Sequence, residues 1–393
     1  MSGQNVHEGG GGAAARALLF SMSLLFGSSA GAFQILPRVS DVDESLTKYS
    51  SRGLISKLGQ WGVSYAIPMI KSPVHEAITL RALGCPSDPG DELSCVTKEN
   101  IERFRAILYG VRWPDDPPFS LSRTSPPRIR ACDPKVTLRS TSQPECWRAL
   151  FRDAGRRSTE HGSVGPAFGP GHYLLYRTHY GDLQFLHAMA THKGEPTVQT
   201  AREMKVWAKY LWGVATRRLD TTVYLRDLGV DDLGQHFPGD QTTVNLLSTG
   251  LPQVRDNLHE VAIGALLHMV QDSFSAAHTV RADATGGRCP RFPSALAPGR
   301  ISQFQSYAGQ DADWHDDQDT KEALSLHALQ ELPTVIDVSQ TFVSLWREQA
   351  EWDRVELYFD CVFAVTAATR EVANQPQTVD GEGAQVALLQ APR

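Results

Sequence analysis

Apolar residues recur at every third or fourth position along much of the chain, the spacing that places them on one face of an α-helix. In residues 97–110, for example, the apolar positions Ile101, Phe104 and Ile107 follow Thr97, a residue type that favours helix N-termini. Alternating patterns typical of β-strands are scarce, and no internal repeat is evident. The sequence therefore predicts an all-α fold of several helices. The helical patterns cover residues 73–83, 97–110, 183–192, 199–217, 256–276, 318–331 and 338–373.

The segments between and beyond these patterns predict how the chain is divided. Residues 114–181 are rich in proline, glycine, arginine and serine, with one short helical pattern near Cys146, and we expect them to form surface insertions. Residues 33–60 are polar and weakly patterned, and we expect residues 375–393 to be a disordered tail. A single domain over residues 61–374 remains, in which the last helix, rich in aromatic residues, serves core packing rather than membrane binding.

The N-terminus has the pattern of an export signal. Arg16 precedes the apolar run Ala17–Phe26, and an A-x-A motif ends at Ala32. The run is too short for a transmembrane helix, and no later segment is long and apolar enough to span a bilayer. We therefore expect residues 1–32 to be a signal peptide and the chain to be secreted or periplasmic. The alternative is a disordered tail followed by a buried segment.

The composition is that of a globular protein with enough length for a substantial core. The chain has 393 residues, of which 41% are hydrophobic and 21% are charged, and its formal net charge is −6. It contains no basic run, so duplex nucleic acid is not an expected partner, and no obligate protein partner is evident from the sequence.

Six cysteines follow the signal segment, and an even number in an exported chain suggests disulfides. Nearest-neighbour pairing is the simplest connectivity and would give Cys85–Cys95, Cys132–Cys146 and Cys289–Cys361. Because no cysteine spacing typical of a zinc site occurs, any metal site must use histidines and carboxylates.

The apolar helix predicted at 256–276 leads into polar residues suited to metal binding. The side chains of His268, Asp272 and His278 can all point toward one side, since each residue turns the helix by about 100°. Burying two imidazoles and a carboxylate is costly unless something pairs with them, and a divalent metal such as zinc does this well. The alternative is an ordinary helix whose polar face meets water.

Further residues with ligand chemistry lie next to the other predicted helices. His315 and Asp319 have the i, i+4 spacing that lets two side chains bind one ion. Three more positions are isolated in the sequence and offer one ligand each: His75, Asp115 and His187.

The order of these segments, with His-x3-Asp-x5-His followed by His-x3-Asp, resembles the zinc-dependent phospholipase C family, which shares its fold with the fungal-type single-strand zinc nucleases. The resemblance covers roughly residues 61–330 and implies a multi-helix zinc hydrolase domain with loop insertions. It also implies a cluster of two or three zinc ions. One ion would be held by Asp115, His187, His268 and Asp272, a second by His278, His315 and Asp319, and a third by His75 with Asp272 as a bridging carboxylate.

Zinc-activated hydrolysis also needs a proton acceptor, and residues near the predicted ligands are candidates for this and for supporting roles. Asp115 would serve as the catalytic general base, and the adjacent Asp116 is either a second candidate for that role or a solvated turn residue. His179 and Asp182 precede the helical pattern that carries His187. They would line the substrate cleft or orient His187, or else lie on the surface.

The third zinc site departs from the family pattern. In the family this ion is also bound by the amino group and carbonyl of an N-terminal tryptophan, whereas signal cleavage after Ala32 would expose Phe33. Removal of residues 33–60 as a propeptide would instead expose Trp61. The alternative is that Trp61 is an internal core residue and that the third site is weaker or differently built.

The resemblance implies an exported phospholipase C that hydrolyses the glycerol–phosphate ester bond of phospholipids with water activated by zinc. Its substrate would lie in a membrane or micelle surface, which Tyr173–Tyr176 would contact unless they serve packing. The alternative is a single-strand nuclease or nucleotidase of the same fold. Ser273–Ala277 lacks the extra histidine usual in the nucleases, whereas Asp319 matches them, because phospholipases often have glutamate there. A non-catalytic secreted binding protein with a lapsed site is the third alternative.

Overall fold

The computed structural model describes residues 73–86, 93–121, 132–162, 165–307 and 329–366. Within these ranges the chain is mostly helical, as the apolar pattern predicts. Helices α1 to α11 span Val74–Ala82, Lys98–Arg103, Arg105–Arg112, Pro144–His161, Leu174–Tyr180, Thr197–Ala215, Leu233–His236, Thr243–Ser248, Leu258–Asp272, Val335–Arg347 and Trp352–Val362. Short 3₁₀ helices span Gln184–His187, Leu225–Asp227 and Pro252–Asn257.

The described strands are short and form two antiparallel pairs. Strand β1 (Thr279–Arg281) pairs with β4 (Ile301–Phe304), and β2 (Arg288–Cys289) pairs with β3 (Phe292–Leu296). The first pair begins soon after α9, and the chain that follows β4 lies beside His278, because the backbone N–H of Gln305 donates to the carbonyl oxygen of His278 at 2.8 Å.

Helix α9 lies at the centre of the described fold. Nearly all of its residues are buried, because its sequence is apolar around most of its circumference. It packs against α3, α6 and α10, and α1 packs in turn against α10. The polar residues at the C-terminal end of α9, His268 and Asp272, are thereby held inside the protein.

Helices α3 and α9 cross with their backbones in direct contact. A Cβ atom built on Gly264 would lie 2.1 Å from the carbonyl oxygen of Ile107, and one built on Gly110 would lie 2.0 Å from that of Val261. No side chain fits at either position. Glycine is therefore required here by lack of space, and it allows the two helices to approach more closely than any other residue would.

Two helices within residues 114–181 pack into the core, which differs from the expectation that this stretch forms surface insertions. Helix α4 buries Trp147, Leu150, Phe151 and Ala154, which share one face at helical spacing. Helix α5 is buried along its whole length. The overall composition of the segment is polar because the opposite face of α4 is rich in arginine, and this concealed its apolar face.

The helical pattern at 338–373 proves to be two helices. Helix α10 begins with a capping box between Thr334 and Asp337, and the chain turns at Gln349, which has a φ of 52°, before α11. The apolar pattern continues through the turn, so periodicity alone does not show the break. The pattern predicted at 318–331 lies largely outside the described residues.

Three disulfides, Cys85–Cys95, Cys132–Cys146 and Cys289–Cys361, confirm the nearest-neighbour pairing. They fit the predicted export of the chain, since such bonds persist in oxidising compartments. Among the described helices, none has the length and apolar character needed to cross a membrane. The predicted signal peptide, the candidate propeptide and the C-terminal tail lie outside the described residues.

Replacing Gly264 with alanine is expected to destabilise the protein by about 1–3 kcal/mol, because the new methyl group overlaps the backbone of α3. Alanine otherwise favours a helix over glycine by about 1 kcal/mol, so a more stable variant would contradict the backbone contact. Gly239→Ala is the control, since a Cβ atom there would meet nothing within 4 Å. Urea unfolding followed by circular dichroism measures both differences.

Candidate metal centre

Six of the sequence-predicted ligands lie in the described part of the chain, and all six are fully buried. They come from five segments: α1, the turn after α3, the first 3₁₀ helix, α9, and the loop between α9 and β1. The remaining two ligands, His315 and Asp319, lie outside the described residues, as do Phe33 and Trp61. The six buried residues are His75, Asp115, His187, His268, Asp272 and His278.

Asp272 is the centre of this group. Its Oδ2 atom lies 3.0 Å from His187 Nδ1, 3.0 Å from His268 Nε2 and 3.7 Å from His278 Nδ1. Its Oδ1 atom lies 3.2 Å from His75 Nε2. One buried carboxylate therefore faces four imidazoles that come from four segments of the chain.

Asp115 joins the group from the turn after α3. Its Oδ1 atom lies 3.8 Å from His187 Nδ1 and 3.9 Å from His268 Nε2. Three sets of side chains have ligand atoms within 4.8 Å of one another and could hold a metal ion: His75, Asp115 and His268; Asp115, His179 and His187; and His187, His268 and Asp272.

Backbone carbonyls fix the orientation of two of the rings. His268 donates from Nδ1 to the carbonyl oxygen of Val111 at 2.7 Å, and His278 donates from Nδ1 to the carbonyl oxygen of His187. A carbonyl oxygen only accepts, so Nδ1 carries the hydrogen in both rings. When the His268 ring is neutral, its Nε2 atom therefore presents a lone pair to Asp272.

Gln271 orients His75 in the same way. Its Oε1 atom accepts from His75 Nδ1 at 2.6 Å, while its Nε2 atom donates to Thr79 Oγ1 at 2.8 Å. The bond to Thr79 keeps the amide oxygen turned toward the ring. His75 Nε2 is thereby directed at Asp272, and such an outer hydrogen bond is typical of metal-binding histidines.

His187 ends a 3₁₀ helix, whereas the sequence predicts an α-helix over 183–192. Gln184 fixes this turn, because its Oε1 atom accepts from the backbone N–H of Tyr307 at 3.1 Å and its Nε2 atom donates to the carbonyl of Thr191 at 2.8 Å. Contacts with residues outside the turn therefore determine its conformation, and local apolar periodicity cannot predict it.

Burial keeps two of the imidazoles neutral. It lowers the pKa of His187 and of His268 to about 4, although Asp272 opposes the shift. Burial also works against ionisation of Asp272, but His268, His278 and His75 hold the pKa of this carboxyl well below its usual range. For His75, burial is outweighed by Asp272, so its pKa is raised. An anionic carboxylate thus faces two neutral imidazoles, those of His187 and His268, at neutral pH.

This arrangement fits a bound cation. His268 Nε2 and Asp272 Oδ2 are both acceptors, yet they lie 3.0 Å apart, and a cation shared by both atoms removes their repulsion. Zinc with four ligands at about 2.0 Å keeps its ligand atoms about 3.3 Å apart, which is close to the separations found here. Imidazole and carboxylate are also ligands that zinc accepts.

His179 lies in the same cluster, although the sequence leaves its role open. It is fully buried near the end of α5, with its ring 5.3 Å from that of His187. Asp182 instead pairs with Arg177 at 2.7 Å. The sequence signal for a buried histidine here is the apolar start of α5, Leu174–Tyr176. These three residues are buried and pack inside the protein, so they do not form a membrane-contacting surface.

Asp116 is not a solvated turn residue. It is 4% exposed, and its two oxygens accept from the backbone N–H and the hydroxyl of Ser140, each at 2.7 Å. These bonds fix the turn that carries Asp115. Of the two neighbouring carboxylates, Asp115 is therefore the one beside the imidazoles.

Comparisons of the chain with protein-family models, with curated proteins and with solved structures find no match. The resemblance to the zinc-dependent phospholipases C accordingly stays a prediction from the motif pattern. The case for the chemistry of this cluster rests on its own geometry.

The metal-free protein is expected to lose stability as the pH falls from 6.5 toward 4. His187 and His268 bind protons near pH 6.5 when unfolded but only near pH 4 when folded, so acid in this window favours unfolding. Each such histidine adds a slope of about 1.4 kcal/mol per pH unit. His75, with its raised pKa, is protonated in both states below pH 6.5 and adds no slope there.

Urea unfolding of chelator-treated protein at several pH values measures this slope. Equal stability at the two ends of the window would contradict the assignment of neutral, buried imidazoles.

Proposed function

We propose that this chain is an exported zinc-dependent phosphodiester hydrolase of the phospholipase C type. The observation that carries the proposal is the convergence of four buried imidazoles on Asp272, with Asp115 beside them. Hydrogen bonding alone does not account for His268 Nε2 and Asp272 Oδ2, two acceptor atoms that lie 3.0 Å apart inside the protein. Residues His315 and Asp319 are proposed to join His278 and complete the ligand set.

The two oxygens of Asp272 support a cluster of more than one ion. Oδ2 faces His187 and His268, whereas Oδ1 faces His75. A carboxylate shared by two ions presents its oxygens to different ligands in this way. Zinc bound here would polarise a phosphoryl oxygen and lower the pKa of water toward neutrality.

The protein's own side chains are proposed to accept the proton and to orient the site. Asp115 is proposed to accept the proton of the attacking water at its carboxylate, since it lies beside His187 and His268 and its neighbour Asp116 is occupied by Ser140. Gln271 keeps His75 turned toward Asp272. The oriented rings and the carboxylates would fix the position of the bound cations, whose positive charge would attract the phosphate ester.

Phospholipid is the proposed substrate because the motif pattern resembles the phospholipase branch at the central helix. The span Ser273–Ala277, between Asp272 and His278, contains no further histidine, whereas the nucleases usually carry one there. Export also fits a lipid surface as the place of action, and the three disulfides fit export.

The purified full chain is expected to release diacylglycerol and a phosphorylated headgroup from emulsions of phosphatidylcholine or phosphatidylethanolamine. A chelator should abolish this activity and added zinc should restore it. Release of nucleotides from single-stranded DNA without lipid hydrolysis would favour the nuclease alternative instead. A fully zinc-loaded protein that hydrolyses neither substrate would be the non-catalytic alternative, and the proposal would fail.

A His268→Ala variant is expected to lose bound zinc and activity together, with activity reduced by more than about 100-fold, because loss of an outer-sphere partner alone costs about 10- to 100-fold. His236→Ala is the matched control, since His236 is a half-buried histidine outside the cluster. Metal analysis by mass spectrometry, alongside the lipid assay, makes the comparison. Unchanged zinc content in His268→Ala would remove this residue from the centre.

A further inference from the structure

We propose that His179 is an additional metal ligand, which binds an ion together with Asp115 and His187. This inference rests on the proposed metal centre and deepens it. The sequence resemblance assigns no ligand to this position, and the evidence for one comes from the structure.

His179 lies close to the other two proposed ligands and is buried like them. His179 lies on α5 and is fully buried, as are Asp115 and His187. Ligand atoms of the three side chains lie within 4.8 Å of one another. This set shares His187 with the group around Asp272, so His179 lies at the edge of that group and not in a separate part of the core.

The tautomer of His179 is fixed by its own helix. Its Nδ1 atom lies 3.0 Å from the carbonyl oxygen of Leu175 and 2.9 Å from Thr178 Oγ1. The carbonyl only accepts, so Nδ1 carries the hydrogen, and Nε2 of the neutral ring holds a lone pair. A ligating histidine typically has this outer hydrogen bond to a backbone carbonyl.

The other nitrogen has a lone pair that the described chain does not satisfy. His179 Nε2 is buried and has no hydrogen-bond partner among the described residues, and the same is true of His187 Nε2. Leaving a buried acceptor unsatisfied destabilises a protein, so such atoms usually have a ligand, an ion or a water.

A cation accounts for this set better than a water does. Each of the three side chains can offer an acceptor atom: the Asp115 carboxylate, the Nε2 lone pair of His179 and one nitrogen of His187. A water molecule donates only two hydrogens, whereas a divalent ion accepts three or more ligands of these types. Two of the ligands, Asp115 and His179, would then come from residues 114–181.

The test compares His179→Gln with His236→Gln in the full chain. Glutamine keeps a polar group at each position but removes the imidazole, and His236 lies outside the cluster. Competition with a chromogenic chelator measures the affinity for each zinc ion. For His179→Gln, one ion should bind more weakly by more than the roughly 10- to 100-fold that loss of an outer-sphere hydrogen bond causes. His236→Gln should bind zinc like the wild type.

A measurement on the wild type does not depend on how the variant folds. In protein labelled with ¹⁵N-histidine, zinc should shift the Nε2 resonance of His179, and this shifted signal should be missing from a folded His179→Gln variant. If zinc binds fully but leaves that resonance unchanged, or if His179→Gln keeps wild-type affinity, the inference about His179 is wrong while the metal centre stands. If the wild type binds no zinc at all, the proposed function itself fails.

Discussion

Helices α3 and α9 cross at Gly110 and Gly264 with their backbones in direct contact, because no side chain lies between them. The same approach brings the carbonyl of Val111, the residue after Gly110, to the ring of His268, which follows Gly264 by one turn. One contact therefore joins the two central helices and orients a residue of the candidate metal centre. A side chain at the crossing would move the carbonyl away from the ring, so packing and site geometry are not independent here.

The other residues of the cluster are positioned by buried polar contacts with residues far from them in the sequence. Gln271 holds the ring of His75, Asp116 fixes the turn that carries Asp115, and Gln184 fixes the 3₁₀ helix that ends at His187. Each of these groups is buried and hydrogen-bonded, as burial of polar side chains requires. Burial of apolar side chains brings the segments together, and the polar contacts then orient the side chain of each candidate ligand.

Periodicity in the sequence could predict those site residues that lie on the same helix, but not those that only tertiary packing brings together. His268 and Asp272 lie on one apolar helix, so their spacing shows in the sequence as an unusual polar pair. His179 pairs with residues brought near it only by tertiary packing, and nothing periodic marks it. The composition of residues 114–181 averages over both faces of α4, so the apolar face was hidden by the arginines opposite it. The helices themselves were predictable because burial of α9 and its neighbours imposes a regular apolar pattern.

The orientation of the rings bears on how metal binding and folding are coupled. In small zinc-folded domains the site does not exist without the ion, so the free energy of binding is the free energy of folding. In this protein hydrogen bonds to Val111, Gln271 and Leu175 orient three of the rings within an apolar core. Burial of that core holds the acceptors together against their repulsion. A bound ion would add stability that rises with the logarithm of the ratio of its concentration to its Kd. Ligands that need not move on binding also keep a reacting group in fixed geometry, the condition under which preorganised charges stabilise a transition state most effectively.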